Sequence, residues 1–482
     1  MTECVYFLGI GGIGMSALAR WFHAEGMTVA GYDRTKSSLT EALEKEGMAV
    51  DYTGALEALP DCLKEDLANR RTNRWTVVWT PAIPMDFPLL IAFKKAGFTL
   101  HKRAAILGQI SKDRPLLAVA GTHGKTTTST LLAHLLTQAE CEVDAFLGGI
   151  ALGASSNLIT TTSKGGARWM VAEADEFDRS FLHLHPRHAV ITSVDPDHLD
   201  IYGSHDRMLD AFQEFAGQVE SGGLLMHAHA HAAWPAESPL SGLNPHIYGA
   251  LRPGESLASR NWAAGYSHVS DQGGSATFSL HLTECAPLSI RWNMPGENNA
   301  ANATAAAFLA VRAGVSTHQI VTGLASFPGI ARRFEIKHRT EHRVLVDDYA
   351  HHPTEIAGTI AAARLAFPGK RITGVFQPHL FSRTRDFLAE FAEALDALDE
   401  CVLLPIYPAR EKPIPGVDAQ RIGEKITGCR VECPAENRFL DVLKKLDPEV
   451  LLFMGAGDLD RWIGPAWERL EQSNTPPQKN VT

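Results

Sequence analysis

Residues 121–126, with the sequence GTHGKT, have the side chains that binding of a nucleoside triphosphate requires. Glycines let the backbone pass close to a phosphate, N–H groups at the start of a helix face an anion, and a lysine adds a mobile positive charge. The run is shorter than the complete G-x-x-x-x-G-K-[ST] pattern, because Val119 stands at its first glycine. We predict that the triphosphate contacts Gly121, Thr122, His123, Gly124, Lys125, Thr126 and Thr127.

Two polar residues that follow apolar runs could complete this site with a metal ion. Glu173 comes after the run at 169–172, and His198 comes after the run at 189–192. The carboxyl ends of parallel strands meet at one edge of a sheet, and Mg²⁺ prefers oxygen ligands beside phosphates. The pattern predicts Mg²⁺ on Thr126 and Glu173, and it predicts that His198 binds a second Mg²⁺ or orients the water on it. For Glu173 and His198, the alternative explanation is a polar residue in a solvated loop or turn.

A second glycine-rich segment, residues 9–14 with the sequence GIGGIG, follows an apolar run near the N-terminus. Asp33 lies about 20 positions further on, as in the dinucleotide fingerprint G-x-G-x-x-G. Taken literally, the fingerprint predicts NAD. Physically it requires only a diphosphate on a helix N-terminus, so a sugar nucleotide fits as well, and a structural glycine turn is a third possibility.

Three polar clusters in the last third of the chain also follow apolar runs. They lie at residues 347–353, 377–385 and 455–458. Polar groups at several strand ends of one sheet are where an open α/β fold builds its site. We therefore expect a second set of functional residues here.

Two other sets of metal-binding residue types are not expected to bind zinc. His227, His229 and His231 alternate and would share one face of a strand, but no carboxylate or cysteine partner follows them. Cys429 and Cys433 have no C-x-x-C partner elsewhere in the chain.

Length and composition indicate an ordinary multidomain globular protein. The 482 residues are 45% hydrophobic and 21% charged, and the net charge is -10. At about 150 residues per domain, this length predicts about three domains. The negative charge argues against general binding to nucleic acid. We find no secretory signal and no apolar stretch of membrane-spanning length, and the scattered cysteines suit a reducing compartment, so we expect a cytoplasmic protein without a membrane partner.

The apolar runs alternate with helical patterns along the whole chain, which predicts an α/β fold with parallel sheets. Polar residues 111–115 indicate a linker, and residues 327–331 indicate a second boundary. The predicted domains are a Rossmann-like domain at 1–112, a central P-loop-type α/β ATPase domain at 113–328, a doubly wound α/β domain at 329–471 and a disordered tail at 472–482.

Ten motifs in chain order resemble the Mur ligase family over residues 4 to about 460. They are GIGGIGMSALA, GTHGKTTT, EADEFDRSF, DPDHLDIYG, NNAANA, GIARRFE, DDYAHHPTEI, QPHLFSRTRDF, PIYPAREKPIPG and GAGD. The resemblance implies an ATP-dependent ligase that joins L-alanine to the lactyl carboxylate of UDP-N-acetylmuramate through an acyl phosphate. Its substrates would be UDP-N-acetylmuramate, L-alanine and ATP, its metal Mg²⁺, and its assembly a monomer or homodimer.

The resemblance also implies a role for individual residues. The UDP-sugar diphosphate would bind Gly11, Gly12, Ile13, Gly14, Asp33 and Arg103. Adenine would contact Asn299 and Asn302, and Arg332 and Asp347 would hold the nucleotide from the last domain. Tyr349, His351, His379 and Arg383 would hold the alanine and the acyl group. The catalytic set would be Lys125, His198, His351 and Arg383.

Three features bear on this resemblance. Many relatives carry His-Asn where this chain has Asn298 and Asn299, and many carry arginine at the position of Leu380. Several Mur ligases bridge their metals with a carbamylated lysine, but no lysine occurs here between Lys164 and Lys337. That arrangement is therefore not available in this chain.

Three alternatives remain open at this point. A family member that attaches a preformed tripeptide to the same acceptor would carry much the same motifs. An NAD-dependent oxidoreductase would use residues 9–14 and leave the GKT loop unused. A nucleotide-gated regulatory protein would use the loop without forming an amide, although the strand-end clusters favour an enzyme.

Overall fold

The computed structural model describes residues 3–154, 156–162, 165, 167–197, 199–234, 239–272, 275–283, 285–409 and 411–471. The predicted site residue His198 and the tail at 472–482 lie outside this part of the chain. No helix within it is long and apolar enough to cross a membrane.

The chain divides into two compact units, and each is described by itself. The first comprises Met1–Gly265, His281–Leu288 and Asn302–Leu324. The second comprises Tyr266–Leu280, Ser289–Ala301 and Ala325–Thr482.

The first unit opens with a parallel five-stranded sheet and its helices. The strands are β1 (Cys4–Leu8), β2 (Thr28–Tyr32), β3 (Ala49–Asp51), β4 (Trp75–Trp79) and β5 (Leu100–Lys102). The helices are α1 (Ile13–Ala24), α2 (Ser38–Lys45), α3 (Asp61–Ala68), α4 (Pro88–Ala96) and α5 (Arg103–Ser111). The strands lie in the order β3-β2-β1-β4-β5. Successive strands are added on one side of β1 up to β3 and on its other side from β4 onward, and an open α/β sheet forms its ligand crevice at such a switch point.

A second sheet in the first unit carries the GTHGKT loop. Its strands are β6 (Leu116–Ala120), β7 (Val143–Phe146), β8 (Leu158–Thr160), β9 (Trp169–Ala174), β10 (His188–Ile191), β11 (Leu224–His227) and β12 (His246–Ala250). They lie in the order β12-β11-β10-β6-β9-β7-β8, and all neighbours are parallel except β7 and β8. The helices here are α6 (Lys125–Gln138), α7 (Leu199–Tyr202), α8 (His205–Ala216), α9 (Ala228–Ala232) and α10 (Leu257–Arg260). Every residue of β6 is buried, as expected for a central strand with both faces covered.

Further along the chain, three neighbouring strands precede the last sheet. They are β13 (Ala264–Gln272), β14 (Ser275–Leu282) and β15 (Leu288–Trp292), followed by helices α11 (Glu297–Arg312) and α12 (Thr317–Ala325).

The last sheet belongs to the second unit. Its strands are β16 (Glu335–Arg339), β17 (Val344–Asp348), β18 (Ile372–Phe376), β19 (Glu400–Leu403), β20 (Arg430–Glu432) and β21 (Val450–Met454). Its helices are α13 (Pro353–Ala366), α14 (Phe381–Asp386), α15 (Leu388–Leu395), α16 (Ala419–Gly423), α17 (Phe439–Leu446) and α18 (Ile463–Glu471). The order is β16-β17-β21-β18-β19-β20, with only β16 antiparallel to its neighbour.

The predicted α/β fold class with parallel sheets is confirmed. The histidine alternation was misinterpreted, because β11 ends at His227 and α9 begins at Ala228, so that His229 and His231 lie on a helix. Glu173 and Asp347 lie within the last residues of β9 and β17 rather than after them. All seven cysteines are free thiols.

Candidate active site

The loop between β6 and α6 depends on two glycines. Gly121 has φ +132° and Gly124 has φ +82°, angles that side-chain-bearing residues rarely adopt. A Cβ atom on Gly121 would lie 2.1 Å from Oγ1 of Thr192, and one on Gly124 would lie 2.5 Å from Oδ1 of Asn302. Both positions therefore require glycine for conformation and for space. Helix α6 has no acidic residue in its first turn, so its N-terminal N–H groups remain suited to an anion.

Ser193, just beyond β10, fixes the loop in place. Its hydroxyl accepts a hydrogen bond from the N–H of His123 at 2.8 Å, and its carbonyl accepts one from the N–H of Thr122 at 3.1 Å. The hydroxyl of Thr192 donates to the carbonyl of Ala120 at 3.1 Å. Sequence reasoning missed Thr192 and Ser193, although two hydroxyl residues after a strand beside the loop were a usable signal.

Lys125 is the first residue of α6, and its side chain folds back so that the ammonium group lies over the loop. Nζ donates to the carbonyl of Gly121 at 2.6 Å and to the two carboxylate oxygens of Glu176 at 2.7 and 2.9 Å. Burial by itself would lower the pKa of Lys125, but the charges of Glu176, Asp175 and Glu173 outweigh it and the pKa is raised. Glu176 is fully buried and was not predicted, although it belongs to the same EADE sequence as Glu173.

Glu173 is held by neutral hydrogen-bond donors. Its carboxylate accepts from the hydroxyl of Thr126 at 3.2 Å, from the hydroxyl of Ser129 at 3.1 Å and from the N–H of Gly148 at 2.7 Å. The predicted pairing of Thr126 with Glu173 is therefore present in the geometry. Ser129 and Gly148 were not predicted.

Thr126 and Glu173 together offer the hard oxygen donors that Mg²⁺ prefers. In the part of the chain that the structure describes, no group of three or more His, Cys, Asp or Glu could hold a metal ion. Mg²⁺ at nucleotide sites takes one or two carboxylates together with phosphate oxygens and water. This donor set fits a magnesium ion that arrives with a nucleotide, and the predicted ligand His198 is outside the described residues.

The other predicted loop residues lie close by. His123 Nε2 is 3.3 Å from a carboxylate oxygen of Asp195, and the Thr127 side chain is buried. Asn302, predicted to contact adenine, accepts a hydrogen bond from the Thr128 hydroxyl at 3.2 Å and lies against Gly124. It therefore contacts the phosphate loop, and its role with adenine stays a prediction.

The N-terminal glycine segment is closed by Asp33. One carboxylate oxygen accepts from the N–H of Gly11 at 2.8 Å, and the other accepts from the N–H of Thr35 at 3.1 Å. A Cβ atom on Gly11 would lie 2.6 Å from Cγ2 of Thr40. Asp33 thus ties the glycine segment to the end of β2, rather than projecting unpaired toward a ribose.

Arg103, the first residue of α5, lies at the start of α1. A Cβ atom on Gly14 would be 2.4 Å from its Nη1 atom. Helix α1 begins at Ile13 after the N-cap residue Gly12, and its first turn has no acidic residue. A guanidinium and the positive end of a helix therefore share one place, an arrangement that an anion would stabilise.

The acidic turn, defined as residues 175–179, contacts Lys125 of the phosphate loop and two cations near the N-terminal glycine segment. Asp175 lies 3.9 Å from Arg103, Glu176 pairs with Lys125, and Asp178 accepts from Lys102 at 2.5 Å. Asp178 and its successor both have φ of 54°, a left-handed conformation that costs about 1–2 kcal/mol per residue. The turn is held in this shape by its contacts.

Arg332 and Asp347 are brought together in the second unit. Nε of Arg332 is 3.5 Å from Oδ2 of Asp347, and the guanidinium donates to the carbonyl of Gly455 at 2.7 Å. The same guanidinium lies 5.1 Å from the ring centre of Tyr349. Two of the three predicted strand-end clusters, at residues 347–353 and 455–458, thus meet at Arg332.

The aromatic site residues of this unit are also neighbours. Nδ1 of His351 lies 2.9 Å from the carbonyl of Tyr349, which can only accept, so Nδ1 carries the proton. The rings of His351 and His379 have centres 6.1 Å apart, and His379 stacks on Tyr407 at 5.7 Å. Tyr407 was not predicted.

Arg383 lies in α14 and is largely buried. Leu380, where many relatives carry arginine, precedes that helix with φ of 70°. The side-chain amide of Asn299 donates a hydrogen bond to the carbonyl of Pro295 at 2.7 Å. The side chain of Asn298 instead lies against Gly358, where an added Cβ atom would be 2.4 Å from its Nδ2 atom. The two asparagines therefore have different neighbours.

Two adjacent carboxylates in β17 are buried. Burial raises the pKa of Asp347 to about 6, with Arg332 opposing the shift. Burial also raises the pKa of Asp348 to about 6, although Arg333 opposes it. Asp348 accepts hydrogen bonds from the N–H groups of Phe334 and Ala350, both at 2.9 Å, and is structural.

Comparison with known proteins covers nearly the whole chain. The Mur ligase family catalytic domain matches residues 4–115, the Mur ligase middle domain matches residues 119–310, and the Mur ligase glutamate ligase domain matches residues 332–457. The UDP-N-acetylmuramate--L-alanine ligase of Cytophaga hutchinsonii is 43% identical over 96% of this chain and 95% of its own length. The enzyme of the same name from Porphyromonas gingivalis strain W83 is 42% identical over 97% of this chain and 99% of its own length.

Solved structures share the architecture. A UDP-N-acetylmuramate-alanine ligase from Thermotoga maritima aligns with a TM-score of 0.76 and 25% identity, over 97% of this chain and 99% of its own. A murein peptide ligase from Psychrobacter arcticus aligns with a TM-score of 0.66 and 22% identity, over 97% of this chain and 98% of its own, which shows the shared fold. With three domain matches in order and relatives above 40% identity along nearly its full length, the chain belongs to the Mur ligase family.

Proposed function

We propose that the chain catalyses the ATP-dependent joining of L-alanine to the lactyl carboxylate of UDP-N-acetylmuramate, in the synthesis of peptidoglycan precursors. The observation that carries the proposal is the 42–43% identity to two ligases of that name over 96–97% of the chain. The tripeptide-adding alternative has weaker support, because the murein peptide ligase from Psychrobacter arcticus shares only 22% identity, compared with 42–43% for those two ligases. Family membership also argues against the oxidoreductase and regulatory alternatives.

The first step activates the carboxylate. A lactyl carboxylate oxygen attacks the γ-phosphorus of ATP in line with the bond to the β-phosphate oxygen, which breaks to release ADP and leave an acyl phosphate. Such a transfer needs mainly positioning and neutralisation of charge. Lys125 supplies the positive charge, and the backbone N–H groups at the start of α6 supply the cradle.

The second step forms the amide. The neutral amine of L-alanine attacks the acyl carbon, the tetrahedral intermediate expels inorganic phosphate, and the amine proton is lost. We assign the holding of the alanine and the acyl group to Tyr349, His351, His379 and Arg383. Arg332 and Asp347 are assigned to the nucleotide, with Asn299 and Asn302 toward the adenine.

Mg²⁺ is assigned to Thr126 and Glu173, and a second Mg²⁺ is assigned to His198. Bound there, it would neutralise charge on the phosphates during transfer. The UDP-sugar diphosphate is assigned to residues 11–14 with Arg103, because that helix start combines a dipole, a nearby guanidinium and a first turn without an acidic residue. Asp33 is assigned to shaping this segment through Gly11.

The test is ADP release coupled to detection of the amide. Continued ADP release should require UDP-N-acetylmuramate and L-alanine together, and mass spectrometry should find UDP-N-acetylmuramoyl-L-alanine. Release with a tripeptide but not with L-alanine would move the assignment to the peptide-adding branch. A panel including glycine and L-serine would measure selectivity, and an NAD titration without binding would exclude the oxidoreductase.

A further inference from the structure

We infer that Glu176 is a positioning residue for Lys125: its carboxylate holds the ammonium over the phosphate loop, and nucleotide binding exchanges this contact for one with phosphate. The inference rests on the proposed function, since it assigns Lys125 to the triphosphate. It concerns a residue that the family pattern of metal and phosphate ligands leaves without a role.

The contacts of Glu176 are directed at the ammonium. Both carboxylate oxygens lie within hydrogen-bond distance of Nζ of Lys125, at 2.7 and 2.9 Å. The side chain of Glu176 is 0% exposed, and that of Lys125 is 17% exposed. A carboxylate without solvent requires such a partner, so the pair is strongly held until another anion reaches the lysine.

Glu173 shows that proximity alone does not determine this arrangement. It lies three residues earlier and faces the hydroxyls of Thr126 and Ser129. One carboxylate of the EADE sequence is thus directed to the predicted metal position and the other to the lysine. Because their contacts differ, the two carboxylates are open to separate tests.

The backbone of Glu176 is anchored, so its carboxylate has little freedom to follow the lysine. Its carbonyl accepts from the hydroxyl of Tyr202 at 2.6 Å and from the N–H of Arg179 at 3.0 Å. Tyr202 is itself buried, with 2% exposure. When Lys125 turns toward a phosphate, Glu176 therefore stays behind as a fixed negative charge.

This arrangement has two opposite consequences. A fixed buried carboxylate repels the triphosphate, which weakens nucleotide binding. The same carboxylate holds Nζ above the loop before the triphosphate arrives, so that the lysine meets the phosphate in a productive position, and misplacement of such a group is costly. Removing the charge should therefore tighten ATP binding and slow catalysis.

The experiment compares wild-type protein with Glu176→Gln, measuring ATP binding by titration in Mg²⁺ and turnover with UDP-N-acetylmuramate and L-alanine. We expect the Kd for ATP to fall about 3–10-fold because an anion is removed, and kcat to fall about 10–100-fold because Nζ is less restricted. Glu176→Asp keeps the charge and should return the Kd toward the wild-type value. Weaker ATP binding in Glu176→Gln with Glu176→Asp unchanged, or an unchanged kcat, would overturn the inference.

Tyr202→Phe is the matched control for loosening of the turn. It removes the hydroxyl that binds the carbonyl of Glu176 but leaves the carboxylate, so it should not tighten ATP binding. If Tyr202→Phe tightened ATP binding as much as Glu176→Gln, the effect would come from loosening and the inference would fail. Failure of the proposed function would appear separately, as a wild-type protein that forms no amide.

Discussion

The two glycine segments of the first unit share a strand–glycine–helix path but differ in how they obtain positive charge. At residues 121–126, Lys125 belongs to the segment itself and is paired with Glu176. At residues 9–14, the segment has no cation, and Arg103 comes from a separate helix. The same backbone arrangement is therefore completed locally in one case and by tertiary contact in the other.

Their carboxylates differ in the same way. Glu173 accepts a hydrogen bond from the hydroxyl of Thr126, at the position proposed for the metal ion. Asp33 instead accepts hydrogen bonds from the backbone N–H groups of Gly11 and Thr35. A glycine fingerprint thus predicts a backbone suited to phosphate, and the charged groups around it differ between the two segments. This is why the fingerprint at residues 9–14 alone could not separate NAD from a sugar nucleotide.

Lys125→Ala should have the largest effect. Loss of the cation at the transferred phosphate is expected to lower kcat by about 10²–10³-fold, as for loss of other charge-stabilising groups. UDP-N-acetylmuramate binding should remain, because Arg103 and residues 9–14 are untouched. Rapid-quench assays and titration calorimetry would measure the two quantities, and equal loss of both would contradict the separation of the segments.

A stability control belongs with this variant. Lys125→Ala leaves Glu176 buried without its cation, which should cost about 3–5 kcal/mol in the free energy of unfolding. The double variant Lys125→Ala/Glu176→Gln should recover most of that stability but none of the turnover. Recovery of turnover would show that Lys125→Ala acts by destabilising the fold.

The next largest effect should come from glycine substitutions that compare the two segments directly. Gly121→Ala introduces a Cβ 2.1 Å from Thr192 at φ +132°, and such strain costs about 1–3 kcal/mol. At Gly12 the nearest atom to an added Cβ is 3.5 Å away, so Gly12→Ala should change the free energy of unfolding by less than about 0.5 kcal/mol. Urea denaturation would measure both.

Ligand titrations then complete that comparison. Gly121→Ala should weaken ATP binding. Gly12→Ala should weaken UDP-N-acetylmuramate binding, because Gly12 is exposed and its backbone is where the diphosphate is assigned. Equal loss of stability in both variants would mean that the segments are packed alike.

The elements of the fold were largely predictable, and the contacts between them were not. The apolar run at 116–120 became β6 with those bounds, because this strand is buried on both faces and has no polar residue. Helices α9 and α10 could not be predicted, since they have only five and four residues and show no periodicity. Glu176 was missed because the sequence EADE contains three carboxylates and does not show which of them faces Lys125. That depends on where β9 ends, at Ala174, and on the turn that follows it.

Arg103→Ala should have a smaller and more selective effect. Loss of a charged hydrogen-bond donor costs about 1.5–3 kcal/mol, which predicts a Kd for UDP-N-acetylmuramate raised about 10–100-fold. ATP binding measured alone should stay close to wild type. Lys102→Ala is the matched control, because it removes the neighbouring cation that pairs with Asp178. A similar loss in both variants would indicate a general electrostatic contribution instead of a diphosphate contact.

The smallest effect should come from Ser129→Ala, which tests the metal side of the comparison. The Ser129 hydroxyl donates to Glu173 at 3.1 Å, and Thr126 and Gly148 would still hold that carboxylate without it. A neutral hydrogen bond contributes about 0.5–1.5 kcal/mol, so the Mg²⁺ concentration for half-maximal rate should rise about 2–10-fold. The kcat at saturating Mg²⁺ should change little, because the phosphate-binding groups are intact.

Thr130→Val is the control for a change on the same helix. Thr130 is the next residue of α6, and its buried hydroxyl has no hydrogen-bond partner in the part of the chain that the structure describes. This variant should leave the Mg²⁺ requirement unchanged. A shift in Thr130→Val equal to that in Ser129→Ala would mean that the helix position, and not the contact with Glu173, determines metal affinity. A shift in Ser129→Ala alone would place the metal beside Glu173 and so separate the function of this carboxylate from that of Asp33 in the N-terminal segment.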